Sequence, residues 1–430
     1  MSINQTTLQQ TKMNNKNFRT DQWIMLLVTM FCYLFFYTGR HNFGWAAKDM
    51  AAELNISYTA VGWISFSMLI GYAIGQLVNG NLADHFGARR MVPLGAILSI
   101  SANIGISYAT NFYMVLVLWT LNGYFQSMAW APGGKLIANW WNGKERGKAF
   151  GFYTMAAGCS SVVTYLLSII LLQQELSWRY LFRLPVLLLL FAAIVFFLVA
   201  RNKPSDKGYE DHIEEGEDNT STWKERYAKV FANKTFLVAS LAIGFQNMAR
   251  YGLIFWVPVH FLGQNWKASP NNLWVTFLMP IGMAIGALVF GNLSDTIFKG
   301  DRPRSIATGM TISAVIALVI FFTNSHNIIL NGILMFGAGF FVYGVQANFW
   351  PMSPELLGKK YMGTGIGFMN MCAYLFAAMG EPFLGKVIDV TKNSSYVFLA
   401  IATISLLSAI TISTTEKAYK KMREVSPLSN

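Results

Sequence analysis

The chain has 430 residues, of which 54% are hydrophobic and 13% are charged, and its formal net charge is +12. Because soluble domains carry about a quarter charged residues, this composition excludes an ordinary soluble protein and indicates a membrane protein. The three cysteines lie inside apolar stretches, where small buried side chains are expected, so the sequence implies no disulfide framework.

Twelve apolar runs follow one another along the chain, most of them long enough for a helix that crosses roughly 30 Å of hydrocarbon. Backbone polar groups in lipid must be satisfied within the segment, so the runs predict helices. The predicted helices cover 22–45, 58–80, 92–109, 112–137, 149–172, 180–200, 235–262, 273–292, 304–323, 328–352, 361–384 and 395–414.

The expected fold is therefore an all-α membrane protein with twelve transmembrane helices in two six-helix bundles, residues 22–200 and 235–414. Residues 201–234 mix acidic and basic side chains, which is typical of a solvated cytoplasmic linker. Residues 1–21 and 415–430 are expected to be cytoplasmic tails. The first of these lacks the short apolar core of a cleavable signal peptide.

The basic residues predict the orientation of the chain in the membrane. With a cytoplasmic N-terminus, 24 of the 33 lysines and arginines fall in cytoplasmic tails, loops and adjoining helix ends, and 6 fall on the opposite side. This bias predicts a multi-pass protein of the cytoplasmic (inner) membrane with both termini in the cytoplasm. It also accounts for the positive net charge, so we expect the lipid bilayer as a partner and no nucleic acid.

Two stretches of the chain repeat each other. Residues 65–84 read SFSMLIGYAIGQLVNGNLAD and residues 276–295 read TFLMPIGMAIGALVFGNLSD, with 13 of 20 positions identical at an offset of 211. The period is too long for a solenoid, so the repeat indicates a duplicated domain. Each copy ends on G-N-L-x-D, followed by basic residues. We interpret this turn as a gate between conformations, formed by Gly80, Asp84, Arg89, Arg90, Gly291 and Asp295.

Motifs for enzymatic chemistry are missing from the sequence. The five histidines are scattered without an H-E-x-x-H pattern, and no G-x-x-x-x-G-K-[ST] phosphate loop is present. We therefore expect neither an ATPase nor a hydrolase, and no cofactor or metal site.

Two arginines inside apolar helices carry the functional hypothesis. Arg40 lies in the first predicted helix and Arg250 in the seventh, and the repeat offset maps Arg40 to position 251. An arginine at mid-bilayer costs about 2.5 to 3.5 kcal/mol even on a lenient scale, so such residues are usually functional. Two inward guanidinium groups facing each other without a nearby acidic residue would suit a phosphate or phosphonate group.

Other roles for these arginines stay open at this point. Each could extend to an interface, or pair with a carboxylate such as Glu381, which could equally meet a cationic group on a substrate. Helical spacing puts Tyr33 and Tyr37 on the face of Arg40, and Asn247 on the face of Arg250. Further polar lining, or alternatively helix packing, is expected from Gln126, Trp130, Tyr153, Tyr343, Gln346 and Asn348.

The chain resembles the major facilitator superfamily, whose G-x-L-x-D-x-x-G-x-[RK] signature matches residues 80–89. Within it, the motifs resemble those of the organophosphate:phosphate antiporters, which include glycerol-3-phosphate and hexose-phosphate transporters. Residues 40–43 (RHNF) are similar to that family's R-K-N-F, residues 250–252 to R-Y-G and residues 256–258 to W-x-P. Residues 123–126, 140–141 and 144–147 are similar to G-W-F-Q, W-W and K-E-R-G.

The resemblance implies a transporter in which Arg40 and Arg250 bind the phosphoryl group. The sequence departs from the family pattern at Gln76, Ala157 and Phe255, where the family has lysine, histidine and aspartate, and at His41, where it has lysine. We expect Gln76 to face the cavity and to alter specificity there.

The expected function is secondary transport of a small organophosphate, phosphonate or related anion by alternating access, in exchange for inorganic phosphate, by a monomer. One alternative is a proton-coupled carrier of another organic anion, with Glu381 as the titrating group. Another is a non-transporting receptor for a sugar phosphate.

Overall fold

The computed structural model describes residues 2–141, 143–211, 223–263, 271–323, 327–358 and 361–425. The first half contains α1 Ser2–Phe36, α2 Asn42–Glu53, α3 Tyr58–Phe86, α4 Ala88–Ile106, α5 Phe112–Trp140, α6 Gly143–Gln173 and α7 Pro185–Val199. The remaining helices are α8 Trp223–Ala232, α9 Lys234–Gly263, α10 Asn271–Thr276, α11 Leu278–Thr296, α12 Arg302–Phe322, α13 Ile328–Gly344, α14 Gln346–Leu357, α15 Met362–Thr391, α16 Tyr396–Ser413 and α17 Glu416–Val425.

Each of the twelve predicted apolar runs corresponds to one helix or to a broken helix. The broken ones are α1 with α2, α10 with α11, and α13 with α14, while a 3-10 turn at Trp178–Phe182 precedes α7. In the described part of the chain, eight helices are long and apolar enough to cross a membrane, or nine if the bent pair α8 and α9 is one span. The fold is thus an all-helical, multi-pass membrane architecture.

The tails and the linker contain more helix than their polarity suggested. Helix α1 begins at Ser2, inside the predicted tail, and α17 occupies most of the predicted C-terminal tail. Within the predicted linker, α8 meets α9 at an angle of 85°. Two aromatic side chains of α8, Tyr227 and Phe231, are exposed.

The repeated stretch forms the same close helix contact in each half. A Cβ added at Gly71 of α3 would lie 2.3 Å from the carbonyl of Thr120 on α5. Its repeat equivalent, Gly282 of α11, would likewise lie 2.1 Å from the carbonyl of Phe336 on α13. Small residues allow such approach of helix backbones in lipid, where apolar burial alone does not drive association. The glycines of the repeat therefore hold each half together.

Contacts between the halves follow the symmetry of the repeat. Helix α3 packs on α15, and α6 packs on α11. The repeat maps α3 onto α11 and α6 onto α15, so these two contacts are equivalent. Helix α2 also packs on α9. The aromatic contacts across the halves include Phe43 with Phe255 (ring centroids 5.5 Å apart) and Tyr72 with Tyr374 (5.2 Å).

The halves are joined at the end of the bundle that is remote from both termini, which we call the remote end. The Asp389 carboxylate of α15 accepts hydrogen bonds from the backbone N–H groups of Tyr58 (3.0 Å) and Thr59 (2.7 Å), at the start of α3. The Lys48 ammonium of α2 donates to the carbonyl of Leu262 near the end of α9. Both charges suit the partial charge of the helix end that they contact.

At the opposite, terminal end, two ion pairs of the described residues each lie on one side of the linker. Arg19 of α1 makes a bidentate contact with Glu145 of α6, at 2.6 and 2.8 Å. Arg302 of α12 pairs with Asp295 of α11 at 2.8 Å. These contacts stabilise each half by itself and do not join the two halves.

Candidate anion-binding site between the halves

The first membrane segment is interrupted where the sequence places Arg40. Helix α1 ends at Phe36, a 3-10 turn covers Tyr37–Gly39, and α2 begins at Asn42. The N–H groups of Arg40 and His41 both donate to the carbonyl of Tyr37, at 3.0 and 2.9 Å. Irregular backbone at membrane depth is tolerated only when protein groups satisfy it.

Three amide side chains satisfy the carbonyls that the interruption releases. The Asn103 and Asn122 amides donate to the Gly39 carbonyl, at 3.2 and 2.8 Å. The Gln126 amide donates to the Phe36 carbonyl at 2.9 Å. Gln126, which the sequence suggested as cavity lining or helix packing, thus has its amide nitrogen engaged in holding the interrupted helix.

The guanidinium of Arg40 lies inside a ring of tyrosines. Its Nη2 donates to the Tyr251 hydroxyl of the other half at 3.0 Å. Its Cζ lies 4.4 Å from the ring centroid of Tyr72, 5.4 Å from that of Tyr37 and 5.9 Å from that of Tyr374. The side chain is only 5% exposed. Cation–π contacts within about 6 Å stabilise a buried cation without neutralising it.

Arg250 is held by a second, more polar set of groups. Its Cζ lies 4.1 Å from the ring centroid of Tyr343 and 5.2 Å from that of Tyr251. Its Nη1 donates to Asn247 Oδ1 at 3.4 Å and to Gln346 Oε1 at 3.3 Å. The buried Nε has no hydrogen-bond partner. The structure thus brings to Arg250 three side chains, Asn247, Tyr343 and Gln346, for which the sequence left polar lining or helix packing open.

The two arginines share Tyr251 and lack a carboxylate partner. Among the described residues, no aspartate or glutamate forms an ion pair with Arg40 or Arg250. The pairing of Glu381 with an arginine, left open by the sequence, is therefore not observed. Two buried cations that only neutral groups contact form a site suited to an anion with several oxygens.

Tyr33 and Tyr153 lie one layer behind Arg40. The Tyr33 hydroxyl is 3.4 Å from that of Tyr37, and its ring centroid lies 4.9 Å from that of Tyr153. The Tyr153 ring stacks on Trp130 at 4.6 Å, and its hydroxyl donates to the Ala129 carbonyl at 3.2 Å. Of these side chains, Tyr37 is the one that contacts Arg40 directly.

Gln76 lies on the terminal side of the two arginines, and Glu381 lies on their remote side. Gln76 is one helical turn beyond Tyr72 on α3, toward the terminal end, and its buried amide nitrogen has no partner. Glu381 is seven residues beyond Tyr374 on α15, toward the remote end, and is 1% exposed. Seven residues are two turns, so Glu381 shares a helix face with Tyr374 about 10 Å away.

The predicted gate is described only in part. Gly80 and Asp84 lie outside the residues whose side chains the structure describes. Arg89 donates from Nε to the Phe197 carbonyl at 3.1 Å, within the same half, and Arg90 is exposed.

In the second half, the gate residues lie at the end of α11. Asp295 pairs with Arg302, which also lies 3.6 Å from Glu355 of α14. A Cβ added at Gly291 would meet no atom within 4 Å. This part of the repeated turn therefore faces open space beside an ion-paired cluster.

Three tyrosines of the site, Tyr72, Tyr251 and Tyr374, were not predicted from the sequence. The repeat carried a signal for two of them. Tyr251 is the position equivalent to Arg40 at an offset of 211, and Tyr72 is a mismatch against Met283 within the repeated stretch. Tyr374 could be found only once α15 was placed beside α3.

A family model described as Major Facilitator Superfamily matches residues 29–381 of the chain. The chain belongs to the Major Facilitator Superfamily. The resemblance inferred from the two halves and the G-x-L-x-D-x-x-G-x-[RK] signature is thereby confirmed.

Relatives of this superfamily member carry names that refer to phosphorylated compounds. It is 27% identical over 409 residues to a probable hexose phosphate transport protein of Chlamydia pneumoniae, covering 89% of this chain and 90% of the relative. It is 23% identical over 409 residues to a glycerol-3-phosphate transporter of Bacillus subtilis, covering 91% and 92%.

The superfamily fold is also found among solved structures. One is a crystal structure of a bacterial homolog of the human lysosomal transporter Spinster, in an inward-facing and unoccupied conformation. It matches with a TM-score of 0.74, covering 95% of this chain and 99% of that one, at 16% sequence identity. At this identity the likeness concerns the fold.

Proposed function

We propose that the protein transports a small organophosphate, phosphonate or related anion across the cytoplasmic membrane, in exchange for inorganic phosphate. The observation that carries this proposal is the pair of buried cations, Arg40 and Arg250, which contact the same Tyr251 ring from opposite halves. A dianionic phosphoryl group would neutralise both and would accept hydrogen bonds from two planar forks. The names of the relatives favour the same substrate class.

The proposed mechanism is alternating access around the arginine pair. With both termini in the cytoplasm, the remote end faces outward, and the cross-half contacts of Asp389 and Lys48 close that side. The substrate would enter from the cytoplasm in this conformation and from outside after those contacts break. Because one chain supplies both arginines, we propose that the monomer is the transporting unit.

In this proposal the residues around the arginine pair have different roles. Asn247, Tyr343 and Gln346 orient Arg250, and Tyr37 orients Arg40. Gln76, whose amide nitrogen lacks a partner, would donate to the organic part of the substrate. Tyr33, Tyr153 and Gln126 support the interrupted first segment from behind, and Gly80, Asp84, Arg89, Arg90, Gly291 and Asp295 would act in closing the cytoplasmic side.

The test is uptake of labelled hexose phosphate, glycerol-3-phosphate and alkyl phosphonates into proteoliposomes loaded with phosphate. A hydrogen bond to a charged group contributes about 1.5 to 3 kcal/mol, so Arg40→Ala or Arg250→Ala should weaken binding at least tenfold and abolish measurable exchange. The matched control is Arg304→Ala, because Arg304 is an exposed arginine of α12.

The outcomes separate the proposal from its alternatives. Undiminished exchange in both arginine variants would overturn the site. Uptake that is driven by a pH gradient without internal phosphate would indicate proton symport instead of exchange. Binding of the substrate without any transport would indicate a receptor.

A further inference from the structure

Glu381 is a buried acidic side chain that has no role in the anion site formed by Arg40 and Arg250. It is 1% exposed, and its Oε2 atom has no hydrogen-bond partner. The indole Nε1 of Trp256, on the neighbouring helix α9, is a neutral donor that interacts with the Glu381 carboxyl. An unsatisfied polar atom such as Oε2 is rare in a folded interior and calls for an explanation.

The backbones of α3 and α15 touch at Glu381 and again one turn further along α15. A Cβ added at Gly62 of α3 would lie 2.5 Å from the Glu381 carbonyl. One turn further along α15, a Cβ added at Gly385 would lie 2.3 Å from the carbonyl of Tyr58. Since α3 and α15 belong to different halves, the Glu381 backbone lies in the contact between the halves, which we call the seam.

The ionisable groups of the surrounding helices are engaged elsewhere. On α9, His260 Nδ1 is 2.9 Å from Ser394 Oγ, and on α16, Tyr396 packs on Phe321 with ring centroids 5.1 Å apart. Tyr58 of α3 has its ring centroid 6.3 Å from that of Trp256.

The charged side chains of α15 closest in sequence to Glu381, and those of α2, either contact other groups or are exposed. Asp389 of α15 accepts from the start of α3, and Lys48 of α2 donates to a carbonyl of α9. Asp49 and Lys386 are exposed. Helices α8 and α14 contact α15 near its opposite end, at Phe368 and Gly365.

Arg250, also on α9, contacts Tyr343, Asn247 and Gln346, and among the described residues no ion pair of Glu381 is observed. Breaking up a buried ion pair so that one charge remains alone costs about 3 to 5 kcal/mol, and a lone buried carboxylate is destabilising for the same reason. A protonated carboxyl group avoids this cost, because it carries no charge. When the halves separate at the remote end, water would reach Glu381 and would stabilise the carboxylate.

We propose that Glu381 is a proton-binding site in the seam, protonated while the remote end is closed and deprotonated when it opens. The O–H bond of the carboxyl breaks on opening, and the proton passes to water on the outer side. This inference rests on the alternating access of the proposed function, and it holds for any substrate of the arginine pair.

The proposal fixes the sign of the pH dependence. The closed state binds one proton more than the open state, so acid favours closure and a rise in pH favours opening. Above the ordinary glutamate pKa of about 4.3, the ratio of open to closed molecules rises by up to tenfold for each pH unit. Replacement of Glu381 by glutamine should remove this dependence, since the amide mimics the neutral acid.

Spin-label distances across the remote end test the proposal without substrate. Labels would be placed at Ala52 of α2 and Val390 of α15, both exposed, after the three native cysteines are replaced by serine. In nanodiscs between pH 5 and 8, the population with the longer distance should grow with pH. In Glu381→Gln this population should stay constant. The matched control, His260→Gln, should keep the pH response, because this change removes a histidine of α9 and leaves the Glu381 carboxyl in place.

Two results would overturn the proposal: a distance distribution that does not change with pH, or a pH response that survives in Glu381→Gln. If Glu381→Gln fails to fold, infrared difference spectra of the wild type provide a second measurement. They should show loss of a protonated carboxyl band as the long-distance population grows, and a constant band would contradict the proposal. Failure of phosphate exchange would leave these results unaffected.

Discussion

At the scale of residues, the site depends on how Arg40 is held before any substrate arrives. Its Nη2 donates to the Tyr251 hydroxyl, and four tyrosine rings surround its guanidinium. Such neutral contacts orient the cation and leave its charge uncompensated. The arrangement explains how an arginine can stay buried in an apolar helix and still attract an anion.

Removal of one hydroxyl tests this orientation. Tyr251→Phe keeps the ring and loses the hydrogen bond to Arg40, which is worth about 1.5 to 3 kcal/mol for a charged partner. We expect substrate affinity to fall about tenfold or more, measured by isothermal titration calorimetry. Tyr343→Phe is the matched control, because the Tyr343 ring rather than its hydroxyl contacts Arg250. Equal effects of both changes would contradict the orienting role.

Gln126 provides a second test, because two roles were open for it. Its amide donates to the Phe36 carbonyl and to Ser99 Oγ at 2.9 and 2.8 Å. Gln126→Leu leaves that buried carbonyl without its donor, at a cost of about 1 to 3 kcal/mol, so the midpoint of thermal unfolding should fall by several degrees. An unchanged midpoint with lost substrate binding would instead assign Gln126 to the cavity lining.

At the scale of elements, charged side chains on helix ends join the two halves. Asp389 caps the start of α3 through two backbone N–H groups and through the Thr59 hydroxyl at 2.5 Å. Lys48 contacts a carbonyl near the end of α9. Each contact satisfies backbone groups that a helix end leaves free, so closure of the remote end substitutes protein partners for water.

Loss of the Asp389 cap should favour the open remote end. A helix cap contributes about 0.5 to 2 kcal/mol, so Asp389→Ala should raise the open-to-closed ratio by about twofold to thirtyfold. The population with the longer distance between spin labels at Ala52 and Val390 should grow by a similar factor. Asp49→Ala is the control, because Asp49 is an exposed carboxylate at the same end. An unchanged distance distribution in Asp389→Ala would show that the cap does not control opening.

At the scale of the whole molecule, the two repeat-related halves pack against each other around a shared site. The glycine contacts of the repeat stabilise each half internally, and the arginine pair lies where the halves meet. A substrate that neutralises both arginines would draw the halves together at the terminal end. The free energy of binding is then available for the conformational change.

This movement can be measured by distances at the terminal end. Phe86 of α3 and Ile297 are exposed and belong to different halves, so spin labels at these positions report the separation of the halves there. Saturating substrate should shorten the distance, and Arg250→Ala should prevent this change. The control pair Phe86 and Tyr108 lies within one half and should not respond. A substrate-insensitive Phe86–Ile297 distance would contradict alternating access.

The sequence alone determined the twelve apolar segments, the duplication and the two intramembrane arginines, because hydropathy and repeats are properties of the chain as written. Helical spacing also put Asn247 on the face of Arg250, while Tyr343 and Gln346 were left open between polar lining and helix packing. The domain boundaries and the gate remain predictions from the sequence.

Only the tertiary structure decided which residues complete the site. The interruption of the first segment at Arg40, the hydrogen bond to Tyr251 and the cap by Asp389 depend on how helices far apart in sequence are rotated and tilted against one another. Helical periodicity fixes which residues share a face of one helix, but the neighbour of that face is set by packing between helices. For that reason the tyrosines around Arg40, and the closed seam around Glu381, emerged from the fold.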